Sequence, residues 1–187
     1  MGKIIVAQFV TLDGVVEDPD GSGGTPSGGW AFRHGPEAVA GDKFRLGPLL
    51  ETGVNILGRT TWALFASLFP QRTDDFSRRL TAMDKLVASR SLDRVDAWAN
   101  STLLRGDLVA EVERRRATQD VVVTGSGSIV DALMAHELVD QYRLLVFPTV
   151  LGKGRKLFDA AGAPLDLRLV ASEGAGGGVL RQVYDRF

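Results

Sequence analysis

Hydrophobic positions along this chain follow two alternating periods. Residues 3–10 are mainly apolar and β-branched, the pattern of a strand buried on both faces. Similar short runs return at 54–57, 85–88, 120–124 and Gln141–Phe147. Between them lie stretches with apolar residues three and four apart, which predict helices. Residues 36–51 carry Val39, Ala40, Phe44 and Leu46 on one face, with Gly47-Pro48 breaking or kinking the run. Residues 61–68 are closed by Pro70, and residues 74–83 carry Phe76, Leu80 and Met83. Residues 107–116 turn Leu108 and Val112 inward and end in Arg114-Arg115-Arg116, where cations complement a helix C-terminus. Residues 129–137 follow Ser128, which has Asp131 at capping-box spacing. Residues 95–104 fit one or two short strands. Residues 167–173 and 179–187 alternate around a glycine-rich turn at 174–178, which predicts a terminal β-hairpin. Strands interleaved with helices predict an α/β fold in one domain over residues 1–187. Its sheet should be mostly parallel with an antiparallel edge.

Composition narrows the chemistry. The 187 residues include no Cys, which removes disulfides, thiolate nucleophiles and Cys-ligated zinc. With only His34 and His136, a His-rich metal site is excluded, and no metal is expected. Twenty-two Lys and Arg against 23 Asp and Glu leave a net charge of -1, which argues against a nucleic-acid grip. No apolar run approaches the length of a membrane span, and the start lacks the pattern of a signal peptide, so a cytoplasmic protein is expected. Glycine is the outlier: 22 of 187, about 12% against about 7% ordinarily. Several glycines fall in the loop 17–29, whose length suits a functional segment and which Trp30 follows. Trp30 has two plausible uses, to stack over a heterocycle or to anchor that loop in the core.

The remaining glycines mark two corners of one kind. At Gly58-Arg59-Thr60-Thr61-Trp62 a buried strand ends and a helix begins, offering free N–H groups, two hydroxyls and a guanidinium to an anion. Val121-Val122-Val123-Thr124-Gly125-Ser126-Gly127-Ser128 repeats that design. It lacks the third glycine of the dinucleotide fingerprint and the Gly-Lys-Ser/Thr of a Walker loop. Ser89-Arg90 follows a third strand, so Arg59 and Arg90 could converge on one phosphate. Taken singly, each corner would also serve as an ordinary strand-to-helix turn.

These motifs, with Leu151-Gly152-Lys153-Gly154-Arg155-Lys156-Leu157-Phe158 after them, resemble in order and spacing the dihydrofolate reductase-like superfamily. The chain looks most like the reductase domain of riboflavin biosynthesis and its stand-alone bacterial relatives. Thr11-Leu12-Asp13-Gly14 resembles that group's Ser-x-Asp-Gly after the first strand. The resemblance implies a three-layer fold and NADPH as hydride donor. Arg59, Ser89 and Arg90 would hold the adenosine 2′-phosphate. Thr60 and Thr61, below Gly58, would bind the pyrophosphate from one side, and Gly125, Ser126, Gly127 and Ser128 from the other. Nicotinamide and substrate would lie by Ala7, Asp13 and Trp30. Asp42 and Asp13 are the candidate proton donors. Dihydrofolate reductases carry Gly-Gly where this chain has Gly125-Ser126, so an altered backbone is expected there.

The implied activity is reduction of a small heterocyclic substrate, with a ribosylamino-uracil phosphate as the leading candidate. Dihydrofolate, another pterin, a xenobiotic carbonyl, or cofactor binding without catalysis are the alternatives. Lys153, Arg155 and Lys156 are candidates to meet a substrate phosphate, or else form a solvated basic loop. The open strand edges of the terminal hairpin suggest a homodimer.

Overall fold

The computed structural model describes all 187 residues. Strands β1 (Ile4–Thr11), β2 (Val54–Gly58), β3 (Asp84–Ala88), β4 (Ser101–Leu103), β5 (Val121–Gly125), β6 (Gln141–Phe147), β7 (Leu167–Gly176) and β8 (Val179–Arg186) form one sheet. Their order is β4-β3-β2-β5-β1-β6-β8-β7. The six strands from β4 to β6 are parallel; β8 runs antiparallel to β6, and β7 to β8. Helices α1 (Leu49–Thr52), α2 (Arg59–Leu68), α3 (Asp75–Ala82), α4 (Leu108–Arg116) and α5 (Gly127–Ala135) complete the fold. The sheet is therefore mostly parallel with a C-terminal antiparallel hairpin, the dihydrofolate reductase-like arrangement.

Alternation along the strands assigns the layers. Ile4 and Val6 of β1 point with Ile56 and Val123 toward Val112 of α4 and Ile129, Val130 and Leu133 of α5. Ile5, Ala7, Leu57 and Val122 point the other way, toward Trp62 of α2 and Leu80 of α3. Fully burying an aliphatic side chain of this size contributes about 1.5–3 kcal/mol, so a one-residue slip would reverse both faces at large cost. Strands β2, β3 and β4 build outward to one edge; the chain then returns through β5 to the middle. Sheets that reverse their winding in this way open a crevice beyond the strand C-termini.

One charged residue inside the core is satisfied locally. Lys85 precedes the apolar residues of β3 and is 1% exposed. Its ammonium donates to the Leu80, Thr81 and Met83 carbonyls at 3.2, 2.8 and 2.6 Å, closing the C-terminus of α3. It also lies 4.3 Å from the centroid of the Trp98 ring. Burial pulls its pKa down to about 8, which still leaves a cation at neutral pH.

Three expected elements change. The helix expected over 36–51 is absent: a single turn at Pro36–Ala38 and the short α1 take its place. Gly41, Arg45 and Gly47 all have positive φ (74°, 51° and 52°), and the Asp42 carboxylate accepts the Leu46 and Gly47 N–H groups at 2.8 Å. Phe44 and Leu46 still pack inward, so loop packing buries the apolar face that the helical period suggested. Residues 95–104 yield one strand, β4, within the one or two expected. The second corner's helix starts at Gly127 rather than Ile129, so Ser128 lies inside it; no side chain caps its start. Asp131 turns instead to Arg155. The hairpin turn is tighter than expected, with Gly177 and Gly178 both left-handed (φ 57° and 77°) between β7 and β8.

Candidate functional site

The two glycine corners meet. Because β2 and β5 are neighbours, Gly58 at the end of one faces Ser126 beyond the other. A Cβ on Gly58 would stand 2.1 Å from Ser126 Oγ, and one on Gly125, whose φ is 133°, would stand 2.7 Å from Thr61 Oγ1. The Thr61 and Ser126 hydroxyls lie 3.3 Å apart. The Gly125–Ser126 peptide is cis, with serine in place of the second glycine.

Local sequence separates these corners from the starts of α3 and α4. Helices α3 and α4 open on aspartates, Asp74 and Asp107, whose carboxylates accept N–H groups of the first turn at 3.0 and 2.9 Å. Neither α2 nor α5 has a side-chain cap. Each bare N-terminus carries roughly half a positive charge, and here two are side by side at strand ends. Thr60 and Ser128 are exposed beside them. The pairing of Gly58 with Ala88 brings Ser89 and Arg90 next to Arg59 at adjacent strand ends. Arg59 and Arg90 are exposed, and neither joins any ion pair of the chain. The Ser89 hydroxyl accepts the N–H groups of Ser91 and Leu92, so it braces its own turn.

On the β1 side, Ala7 is buried and Asp13 ties two loops together. Asp13 accepts the Thr11 hydroxyl at 2.6 Å and the Leu151 and Gly152 N–H groups at 3.3 and 2.8 Å. The Thr11 hydroxyl foremost, then the Gly152 and Leu151 amides, hold its pKa down to about 2. A carboxyl so firmly ionised is poorly placed to donate a proton. Asp42 is also committed, with both oxygens on backbone N–H groups in a turn rather than on a helix facing the cleft. Trp30 is wholly buried: its indole donates to the Glu17 carbonyl at 2.8 Å and meets Phe147 edge-on at 5.2 Å. Of its two possible uses it takes the loop anchor and presents no face to a ligand. The loop it anchors is organised by Asp18, which accepts from the Gly23 and Thr25 N–H groups and the Thr25 hydroxyl.

Two polar contacts were not foreseen from the sequence. Thr124 donates to the wholly buried Asn55 at 3.1 Å, across the strand ends that carry the corners. Arg155 crosses from the loop after β6 to Asp131 on α5. An asparagine inside an apolar strand was the visible signal for the first; for the second there was only Gly127. Along four strand ends, from β3 through both corners to β1, the chain thus places two arginines without ion-pair partners and two uncapped helix starts.

Comparison with known proteins agrees with this architecture. The family model described as the RibD C-terminal domain matches residues 2–181. The uncharacterised protein YyaP of Bacillus subtilis (strain 168) is 26% identical over 189 residues, spanning 97% of this chain and 94% of the relative. Among solved structures, a proposed riboflavin biosynthesis protein of Shewanella sp. PV-4 superposes with a TM-score of 0.71 at 19% identity, covering 100% of this chain and 99% of that one. Dihydrofolate reductase of Enterococcus faecalis, solved with NADP(H), gives 0.58 at 12% identity, covering 99% and 96%.

Proposed function

The chain belongs to the RibD C-terminal domain family, and from that premise we propose that it is an NADPH-dependent reductase of a small nitrogen heterocycle. The observation that carries this reading is the pair of uncapped helix starts held together at Gly58 and Ser126, flanked by two unpaired arginines. The donor set fits the dinucleotide. Arg59 and Arg90 would take the 2′-phosphate, and the first turns of α2 and α5, with Thr60, Thr61 and Ser128, the pyrophosphate. Gly58, Gly125 and Gly127 let the two corners and the Arg155 side chain pack this closely beside it. Bound there, NADPH supplies the hydride.

The chain's own contribution is alignment and exclusion of water. Asp13 braces the loops after β1 and β6, which border the place proposed for nicotinamide and substrate. With Asp13 ionised and Asp42 engaged by backbone, the proton that follows the hydride comes from solvent. That favours reduction of a sugar imine or carbonyl over pterin chemistry that relies on a cleft acid. A ribosylamino-uracil phosphate is the leading substrate, reduced at the sugar carbon to a ribityl chain. The functional unit is a homodimer formed at the open edge of the sheet, where Leu169 and Val170 of β7 are each 53% exposed.

A substrate panel tests the reading. Purified protein with NADPH is offered the ribosylamino-uracil phosphate, dihydrofolate and simple carbonyls, and nicotinamide absorbance is followed. Oxidation of NADPH with the uracil substrate alone is the expected result. Turnover of dihydrofolate instead would overturn the substrate assignment, and binding without turnover of any substrate would overturn the catalytic one.

A further inference from the structure

The start of α5 has a feature that the proposed cofactor site does not use. Arg155 lies in the loop after β6, and its backbone is fixed on both sides. Its carbonyl accepts the Val16 N–H at 2.9 Å, and two residues on, the Leu157 N–H donates to the Gly14 carbonyl at 2.9 Å. From that position the side chain reaches across to α5 and pairs with Asp131 through Nη2. The guanidinium lies flat against Gly127, where a Cβ would stand 1.7 Å from Nη1 and 2.3 Å from Cζ. The missing side chain of Gly127 is its seat.

Electrostatics make this placement unusual. The N-terminus of a helix repels cations, and α5 has no side-chain cap to soften that repulsion. Asp131 satisfies only Nη2; Nη1 and Nε find no acceptor in the chain. The hollow around the guanidinium is lined by Gln8, Gly127, Asp131 and Lys156. The Gln8 amide nitrogen there is buried and has no hydrogen-bond partner. A cation with free donors, the Asp131 carboxylate that holds it, a second cation, an orphaned amide donor and a bare helix start therefore surround one space.

We infer that Arg155 is a phosphate-binding residue at the start of α5, with Asp131 holding its guanidinium so that the free edge meets the anion. The inference deepens the reductase reading and rests on it for the identity of the anion. Position favours the cofactor's diphosphate, because Gly127 adjoins the corner sutured at Gly58 and Ser126. A substrate phosphate ester has the same chemistry.

The test uses wild-type protein, Arg155→Gln and Gly127→Ala. Arg155→Gln removes the charge. Gly127→Ala keeps it but evicts the guanidinium, and because only the far end of a flexible side chain must move, the fold should tolerate it. Binding of inorganic pyrophosphate and of ribose 5-phosphate is measured by calorimetry, and of NADPH by nicotinamide fluorescence, at low and moderate salt. In both variants NADPH and pyrophosphate should bind roughly ten- to a hundredfold more weakly, as expected for losing charge-assisted hydrogen bonds. The salt dependence should flatten in Arg155→Gln, while melting temperatures stay close to wild type. A loss confined to ribose 5-phosphate would keep Arg155 as a phosphate ligand and assign it to the substrate. Unchanged binding of all three anions in both variants would overturn the inference and leave Arg155 a structural partner of Asp131. The pyrophosphate arm needs no cofactor, so failure of wild type to bind NADPH would sink the reductase reading separately.

Discussion

Asp13 shows how one carboxylate can be removed from acid–base work and given to architecture. Its pKa of about 2 lies below the ordinary 3.8, so its contribution to stability is complete above about pH 4 and is lost as pH falls toward 2. Thermal melts of wild type and Asp13→Asn should differ by a constant amount above about pH 4, and the gap should close on further acidification. A gap that widens toward acid would contradict the bracing role. Single residues were legible where their chemistry is local. Gly58, Gly125 and Gly127 announce corners because a Cβ there would collide with a neighbour. Trp30 and Asp42 were not, because their fates depend on partners that sequence spacing does not reveal. The indole meets Phe147 from β6, and the carboxylate serves a turn whose left-handed residues replace the expected helix.

At the scale of elements, the site depends on two strand-to-helix turns pressed against each other. Gly58→Ala would drive a methyl group into the Ser126 side chain, whose Oγ and Cβ lie 2.1 and 2.7 Å from the new atom. The cost should be about 1–3 kcal/mol, as for other overpacked sites. Adding Ser126→Gly should recover most of it, because the nearest atom left is the Ser126 nitrogen at 3.3 Å. Denaturant melts of the two single variants and the double would show this; a double variant as unstable as the sum of its parts would mean that the corners do not touch as described. Elements with strong periodicity were readable from the chain, as in β1, β5 and α3. The segment 36–51 was not, because loop packing buried the apolar side chains that made it look helical.

For the whole molecule, the alternation of apolar runs and helical faces was enough to read a mostly parallel sheet with a terminal hairpin, because both faces of a parallel sheet must be covered. The strand order was not readable, since it depends on which neighbours close the core rather than on any one strand. The hairpin leaves β7 at an open edge, with Leu180 of β8 43% exposed nearby. Sedimentation at micromolar concentration should therefore give a species of twice the 20.1 kDa chain mass, and a monomer throughout would remove the dimer. The proposed reductase requires that the strand ends hold a phosphorylated nicotinamide dinucleotide. It is tested most directly by titrating wild type and Arg59→Ala with NADPH and with NADH under nicotinamide fluorescence. NADPH should bind at least about tenfold more tightly than NADH in wild type, with that preference lost in the variant. Equal affinity for both dinucleotides in wild type, or no binding of either, would contradict it.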